Sequence, residues 1–133
     1  MVRTELRVIY GDTDQMGVAY YANYLRWFEA GRNELIRARG LTYREVEDRF
    51  RLMLPVAEAH VAYRSPARYD DVVAVETSLA DVRRASARFA YRIVRGGELL
   101  ATGHTVHACV DLGGRVQRMP PELLQRLGPA EGS

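Results

Sequence analysis

The chain of 133 residues contains no lysine: all 19 of its basic residues are arginine, set against 17 acidic ones. Every cation is therefore a planar fork that keeps its proton. The net charge of +2 is too weak a field to point to nucleic acid or an anionic membrane as partner. Cysteine is nearly absent as well. Cys109 stands alone, which excludes an internal disulfide, and its strand-like neighbours mark it as a buried, inert thiol. There is no G-x-S-x-G elbow and no Walker sequence, which argues against serine hydrolase and nucleotide hydrolase chemistry. His60, His104 and His107 lack the spacing of a zinc site, and two histidines three apart on a strand face opposite sides. No metal is expected. A long apolar run is also missing, and the N-terminal MVRTELRV carries charges from the start, so neither a signal peptide nor a membrane span is expected. Cytoplasmic location is the default.

What is present suits one ordinary domain: 47% of residues are hydrophobic and 27% charged. A domain of this size buries about two-thirds of its unfolded surface. Its centre is YGDTDQMGVAYYANYLRWFEAGRNELIRARG, Tyr10 to Gly40. Alternation over Arg3–Tyr10 predicts a first strand, with Leu6, Val8 and Tyr10 on one side, and Gly11–Gly17 reads as a turn. Leu25, Phe28, Leu35 and Ile36 recur at helical spacing, which predicts a helix from about Tyr20 to Arg39 with Gly40 as its stop. Gly31 in mid-helix costs about 1 kcal/mol relative to Ala, a cost offset if a sheet approaches the helix backbone closely. Thr42 is placed to cap a second short helix ending near Phe50.

From Leu52 onward the texture is extended. Strands are predicted over Leu52–Tyr63, Val72–Val82, Ser86–Val94 and Leu99–Val110, with hairpin signals at Gly96–Gly97 and Gly113–Gly114. Arg115–Arg118 reads as a brief final strand. Glu122–Leu127 forms a short helix after Pro120–Pro121, and Gly128 ends it. The domain is expected to span 1–128, followed by a disordered tail, 129–133. Hairpins mean antiparallel pairing, so the class is α+β. Val94, Leu100 and Val106 need cover that a single helix does not supply. Association through the sheet into a dimer or tetramer is therefore expected.

The chemistry points to the turn before the long helix. The first N–H groups of a helix lack intrahelical partners and carry partial positive charge, and a carboxylate beside them can serve as base or nucleophile. Asp12 and Asp14 compete for that role with a plainer one, in which Asx side chains bond nearby backbone N–H groups; Asp12 fits the plainer role. Tyr20, Tyr21, Tyr24, Trp27 and Phe28 suit either an acyl pocket or core. Arg83 and Arg84 suit either a solvated turn or phosphate oxygens. Asp70–Asp71 fit a turn cap or a pair with Arg68.

These residues resemble a known family. GDTDQMGVAYYANYLRWFEAGR and, later, YRSPARYDDVVAVET are similar to the two signature blocks of hotdog-fold acyl-CoA thioesterases of the 4-hydroxybenzoyl-CoA thioesterase and YbgC type. The similarity runs from about Val8 to Val110. It implies a hotdog: one long central helix wrapped by an antiparallel sheet of five or six strands, in dimers joined sheet edge to sheet edge, with active sites at the subunit interface. By resemblance Asp14 is the catalytic carboxylate, as nucleophile or general base, and the Tyr21 backbone N–H polarises the thioester carbonyl. Asn23, Glu29, Tyr20 and Tyr24 are expected to bind substrate, with Arg83, Arg84 and Ser86 at the CoA phosphates. Two departures stand out. Tyr21 occupies a position where YbgC-type members often have His, and Ala85 replaces a lysine that follows the arginine pair in the other branch. Arg64 or Arg88 would then supplement the phosphate site. The expected activity is hydrolysis of an acyl-CoA to free acid and CoA, with no required cofactor. The rivals are a thioesterase for acyl-carrier protein and a non-catalytic acyl-CoA-binding scaffold.

Overall fold

The computed structural model describes residues 1–131. In chain order the elements are β1 (Val2–Arg7), a 3-10 turn (Tyr10–Asp12), α1 (Asn23–Ala38), α2 (Tyr43–Asp48), β2 (Leu52–Met53), β3 (Val56–Tyr63), β4 (Val72–Val82), β5 (Ser86–Arg95), β6 (Glu98–Ala108), β7 (Val110–Asp111) and α3 (Pro121–Leu127). Five strands form one antiparallel sheet in the order β1-β4-β5-β6-β3, and β2 pairs with β7 in a separate ladder. This is the α+β, helix-on-sheet arrangement of a hotdog. Among the described residues no helix is long and apolar enough to cross a membrane.

Period-two alternation builds the layers. Val73, Val75, Thr77 and Leu79 of β4 and Ala87, Phe89, Tyr91 and Ile93 of β5 are buried, and the intervening residues face away. On that outer face Glu76 receives Arg3 at 3.2 Å and Arg92 at 3.7 Å. The outer surface is thus more polar than the sequence suggests. Val94 and Leu100, expected to need cover from another subunit, are 7% and 0% exposed within the chain. What lies open is β3, an edge strand whose residues 56–60 are all exposed.

The helix α1 buries Tyr24, Trp27, Phe28, Gly31, Leu35 and Ile36, a stripe at i, i+3, i+4 and i+7. Leu25, assigned to that stripe from its spacing, is exposed instead. The helix begins at Asn23, three residues later than expected, because Tyr20–Ala22 form a separate turn closed by Asn23 N–H to the Tyr20 carbonyl at 2.9 Å. Gly31 has the predicted close approach: a Cβ there would sit 2.4 Å from Thr77 Oγ1 and 2.8 Å from Val75 Cγ1. Three residues earlier, Phe28 stacks on Tyr91 with ring centroids 4.1 Å apart.

Other elements shift at their ends. The strand expected over Leu52–Tyr63 breaks at Leu54–Pro55, since Pro55 has no N–H for a ladder, and Leu52–Met53 pair with Val110–Asp111 instead. The first strand ends at Arg7, which leaves Tyr10 exposed in the 3-10 turn. Arg115–Arg118 contributes a single bridge, Val116 to Val110, and α3 opens at Pro121. Thr42 caps α2 as expected, its Oγ1 accepting from Glu45 N–H at 3.1 Å. Cys109 is buried, and burial raises its thiol pKa. In the tail expected to be disordered, Glu131 pairs with the N-terminal amine at 2.5 Å and with Arg39 at 3.3 Å. Residues 132 and 133 lie outside the described residues.

Replacing Gly31 by Ala adds a methyl group where Thr77 and Val75 already stand. We expect a loss of about 1–3 kcal/mol, which outweighs the roughly 1 kcal/mol gained in helix propensity. Urea denaturation measures the difference, and a Gly31→Ala protein as stable as the parent would contradict this packing.

Candidate active site

The two aspartates of the turn take different roles. Asp12 is buried and clamps the loop: its Oδ2 accepts from Ile9 N–H at 3.0 Å, and its other oxygen pairs with Arg26. Its carbonyl accepts from Tyr20 N–H and from Asn23 Nδ2, each at 2.8 Å. Asp14 is half-buried. Its Oδ1 accepts from Met16 N–H at 2.8 Å, an Asx turn, while its Oδ2 has no partner among the described residues. The loop returns through Gly17, whose φ of 79° suits a residue without a Cβ. It is then pinned to the 66–71 segment by Ala19 N–H to the Ala67 carbonyl at 2.8 Å.

The N-terminus of α1 carries no side-chain cap. Asn23 and Tyr24 donate backwards to Tyr20 and Tyr21, whereas the N–H groups of Tyr21 and Ala22 have no acceptor among the described residues. Tyr63 Oη donates to the Tyr21 carbonyl at 2.8 Å. A trans peptide points its N–H opposite to its carbonyl, so Tyr63 also fixes where the Ala22 N–H aims. Beside this end lies a cleft of about 260 Å³ lined by Val18, Tyr21, Tyr24, Tyr63, Arg64 and Pro66. The rings adjoin one another, with centroids 4.7 Å apart for Tyr20–Tyr21 and 5.0 Å for Tyr24–Tyr63. The pKa of Tyr20 is raised, chiefly by its hydrogen bond and charge interaction with Tyr21, then by desolvation and by the Asp14 carboxylate. Burial, then the Tyr24 and Tyr21 phenols, raise that of Tyr63. Both are therefore neutral hydroxyls at ordinary pH. The arrangement offers positively polarised N–H groups, a carboxylate oxygen without a partner among the described residues, and a mostly apolar cleft at one end of a helix.

Comparison with known proteins agrees with this reading. Residues 8–127 match the pattern of the thioesterase-like superfamily. The chain belongs to that superfamily. It is 36% identical over 108 residues to the acyl-CoA thioesterase YbgC of Haemophilus influenzae, covering 81% of this chain and 79% of that protein. It is 32% identical over 121 residues to the 1,4-dihydroxy-2-naphthoyl-CoA hydrolase of Synechococcus elongatus, covering 90% and 89%. The crystal structure of hypothetical protein TT1821 from Thermus thermophilus superposes with a TM-score of 0.89 at 39% identity, covering 94% and 95%.

Within this thioesterase-like fold Asn23 remains at the same helix end, and the other predicted residues lie elsewhere. Asn23 fastens the turn through Asp12. Glu29 is exposed, six residues along α1 from Asn23, about 9 Å at the helical rise. Arg83 and Arg84 lie in the β4–β5 turn and Ser86 opens β5, at the opposite end of β4 from the Asp14 loop. Eleven residues of strand set the two ends roughly 30 Å apart. Arg83 Nε bonds Asp81 Oδ2 at 2.9 Å, and Arg84 has no side-chain partner among the described residues. Arg83, Ser86 and Arg88 share a shallow depression of about 150 Å³. Asp71 accepts from Arg68 N–H, as a turn cap should, but its ion pair at 2.7 Å is with Arg95.

A second cavity, about 270 Å³, is walled by Ile36, Leu54, Val56 and Phe89 and carries the polar groups of Arg32 and His107. Those two groups end a buried chain. Arg32 Nη1 donates to Tyr91 Oη at 3.4 Å, Tyr91 Oη meets Thr105 Oγ1 at 2.6 Å, Thr105 Oγ1 meets His107 Nε2 at 2.9 Å, and His107 Nδ1 meets the Leu54 carbonyl at 2.9 Å. The polarity of the chain follows from its ends. A carbonyl only accepts and a guanidinium only donates, so Nδ1 carries the proton, Thr105 donates to Nε2, and Tyr91 donates to Thr105. Neither Tyr63 nor this chain was singled out from the sequence. His107 was named there only among histidines that lack zinc-site spacing, and Arg32 left a trace as a charge at i+4 from Phe28 and i−4 from Ile36 on the buried stripe.

Burial, opposed by the Leu54 hydrogen bond, lowers the pKa of His107 from 6.5 to about 4. Between those values the unfolded chain binds a proton that the folded one refuses, so stability falls as pH drops from 6.5 toward 4. Chemical denaturation across that range should show the decline, and His107→Gln should reduce its slope. An unchanged slope would contradict the assignment.

Proposed function

We propose that the protein hydrolyses acyl-CoA thioesters to a free acid and CoA. The observation that carries this reading is the pairing, at one helix end, of Tyr21 and Ala22 N–H groups that have no acceptor among the described residues with the Asp14 Oδ2 that has no partner among them. A thioester carbonyl is already electrophilic, and thiolate leaves readily. The N–H groups would take up the negative charge that builds on the carbonyl oxygen, each such donor being worth about 2.7–4 kcal/mol of barrier. Asp14 would either accept a proton from water as that water adds to the carbonyl carbon, or add to the carbon itself and form an anhydride that water then opens. In both routes the carbon–sulfur bond breaks and CoA departs as thiolate, with no metal or cofactor taking part. Tyr24 and Tyr63 form the wall along which the acyl group or the pantetheine arm would lie, and Tyr20 packs against the Tyr21 ring.

The protein is proposed to act as a homodimer joined through β3. That edge strand is exposed along most of its length and offers unpaired backbone groups. A two-fold antiparallel pairing of β3 with its copy would set the Tyr63 end of one protomer beside the Val56 end of the other. The Arg83–Arg84 turn, too far from Asp14 within one chain, would then serve the partner's active site and receive the CoA phosphates through guanidinium forks. Arg64, in the cleft wall, is a second candidate for phosphate.

Asp14→Asn should keep fold and CoA affinity while lowering kcat about a hundredfold or more; thiol release with 5,5′-dithiobis-nitrobenzoate reads this directly, and near-normal turnover would remove Asp14 from the mechanism. Arg84→Ala, on an unpartnered surface residue, should raise KM about three- to tenfold with kcat little changed. A pure kcat defect would argue against a phosphate contact. Sedimentation equilibrium should return a mass of two chains or a multiple of it, and a monomer active at all dilutions would overturn the shared site.

A further inference from the structure

The second cavity holds donors in excess of acceptors. Arg32 is 13% exposed at its side chain, yet of its five N–H donors one is engaged in a hydrogen bond among the described residues, and that at 3.4 Å with Tyr91. The Tyr91 oxygen is an acceptor toward Arg32 because its proton is committed to Thr105, a direction set at the far end by the Leu54 carbonyl. The guanidinium is thereby held by one corner. Among the described residues the one carboxylate within 4 Å of it is Glu29, 3.8 Å away and 61% exposed, at the cavity mouth. Tyr43 adds a donor: its oxygen accepts Leu54 N–H at 2.9 Å, which leaves its own O–H free for the cavity it lines. His107 is neutral and both of its nitrogens are used. A cation so withdrawn from water is costly unless an anion meets it.

We infer that this cavity receives the far end of the acyl group and that Arg32, with Tyr43, recognises a carboxylate there, so that the favoured substrates are thioesters of dicarboxylic acids. The inference rests on the acyl-CoA thioesterase reading above. A carboxylate only accepts, which matches the spare donors of Arg32 and Tyr43, and a planar guanidinium can hold both of its oxygens. A hydroxyl would satisfy one donor and leave the charge to the exposed Glu29 alone, and a methyl end would satisfy neither. At about 270 Å³ the cavity is below the usual range for whole drug-sized ligands, which suits an acyl end better than an entire CoA ester. Its position is compatible with the dimer proposed above: Pro55 and Val56 line it, so antiparallel joining of β3 would place it beside the partner's Tyr63 and the N-terminus of the partner's α1.

The test compares three acyl-CoAs of equal chain length, ending in a carboxyl, a hydroxyl or a methyl group. The wild type should give the highest kcat/KM for the carboxyl-ended ester, at least tenfold above the methyl-ended one. Arg32→Met should abolish that preference, bringing the ratio of kcat/KM for the carboxyl- and methyl-ended esters to about one, and Arg32→Lys should restore part of it. Methyl- or hydroxyl-ended esters that equal the carboxyl-ended one in the wild type would overturn the inference, as would a preference that survives Arg32→Met. Binding of the corresponding free dicarboxylic acid to the Asp14→Asn protein, followed by calorimetry, separates this inference from the one it rests on. Affinity lost on adding Arg32→Met supports the carboxylate site even if no thioester is hydrolysed, and affinity unaffected by Arg32→Met counts against it even if Asp14 is catalytic.

Discussion

The buried carboxylate of Asp12 is the constraint on which the candidate site depends. Through its two oxygens and its own carbonyl it joins the end of the first strand, the Tyr20 turn, Asn23 and Arg26 of the helix. Helix N-termini are ordinarily closed by a side chain at the N-cap. Here the N-cap is Ala22, which has nothing to offer, and the work of fixing the chain passes to Asp12 one strand-turn earlier. The consequence is chemical. The helix end is held in place while its first N–H groups stay open, and the neighbouring Asp14 keeps one oxygen uncommitted.

A second constraint is the contact of α1 with the sheet at Gly31. With no Cβ to hold them apart, the helix backbone lies against Val75 and Thr77, and Phe28 can stack flat on Tyr91. That contact sets the height of Arg32 over the sheet and so brings it within reach of the Tyr91 hydroxyl. Packing, the polar chain behind Tyr91 and the donor-rich second cavity are thus consequences of one glycine position.

The layers were legible because alternation over β4 and β5 and the stop at Gly40 are local signals. The helix start was not, since Tyr20–Ala22 look helical in composition but are drawn into a turn by bonds to Asp12, a tertiary effect. Pro55 divided a predicted strand because a missing N–H outweighs a favourable run of side chains. Of the site, Asp14 and Tyr21 could be placed from the turn before the helix and from the resemblance of that stretch to thioesterases. Tyr63 could not, being one exposed aromatic at the end of a strand, brought to the Tyr21 carbonyl only by the fold. Arg83 and Arg84 were legible as a basic turn, but their distance from Asp14 is a property of the sheet and is invisible in the sequence.

The central claim is that the open N–H groups of Tyr21 and Ala22 and the free oxygen of Asp14 address the same carbonyl. A crystal structure with a CoA ketone analogue, in which a methylene replaces the thioester sulfur, tests this most directly. The ketone oxygen should lie about 2.7–3.1 Å from the Tyr21 or Ala22 nitrogen, with Asp14 Oδ2 facing the carbonyl carbon or a water beside it. An analogue seated with its carbonyl away from this helix end, or with Asp14 turned to bulk solvent, would contradict it.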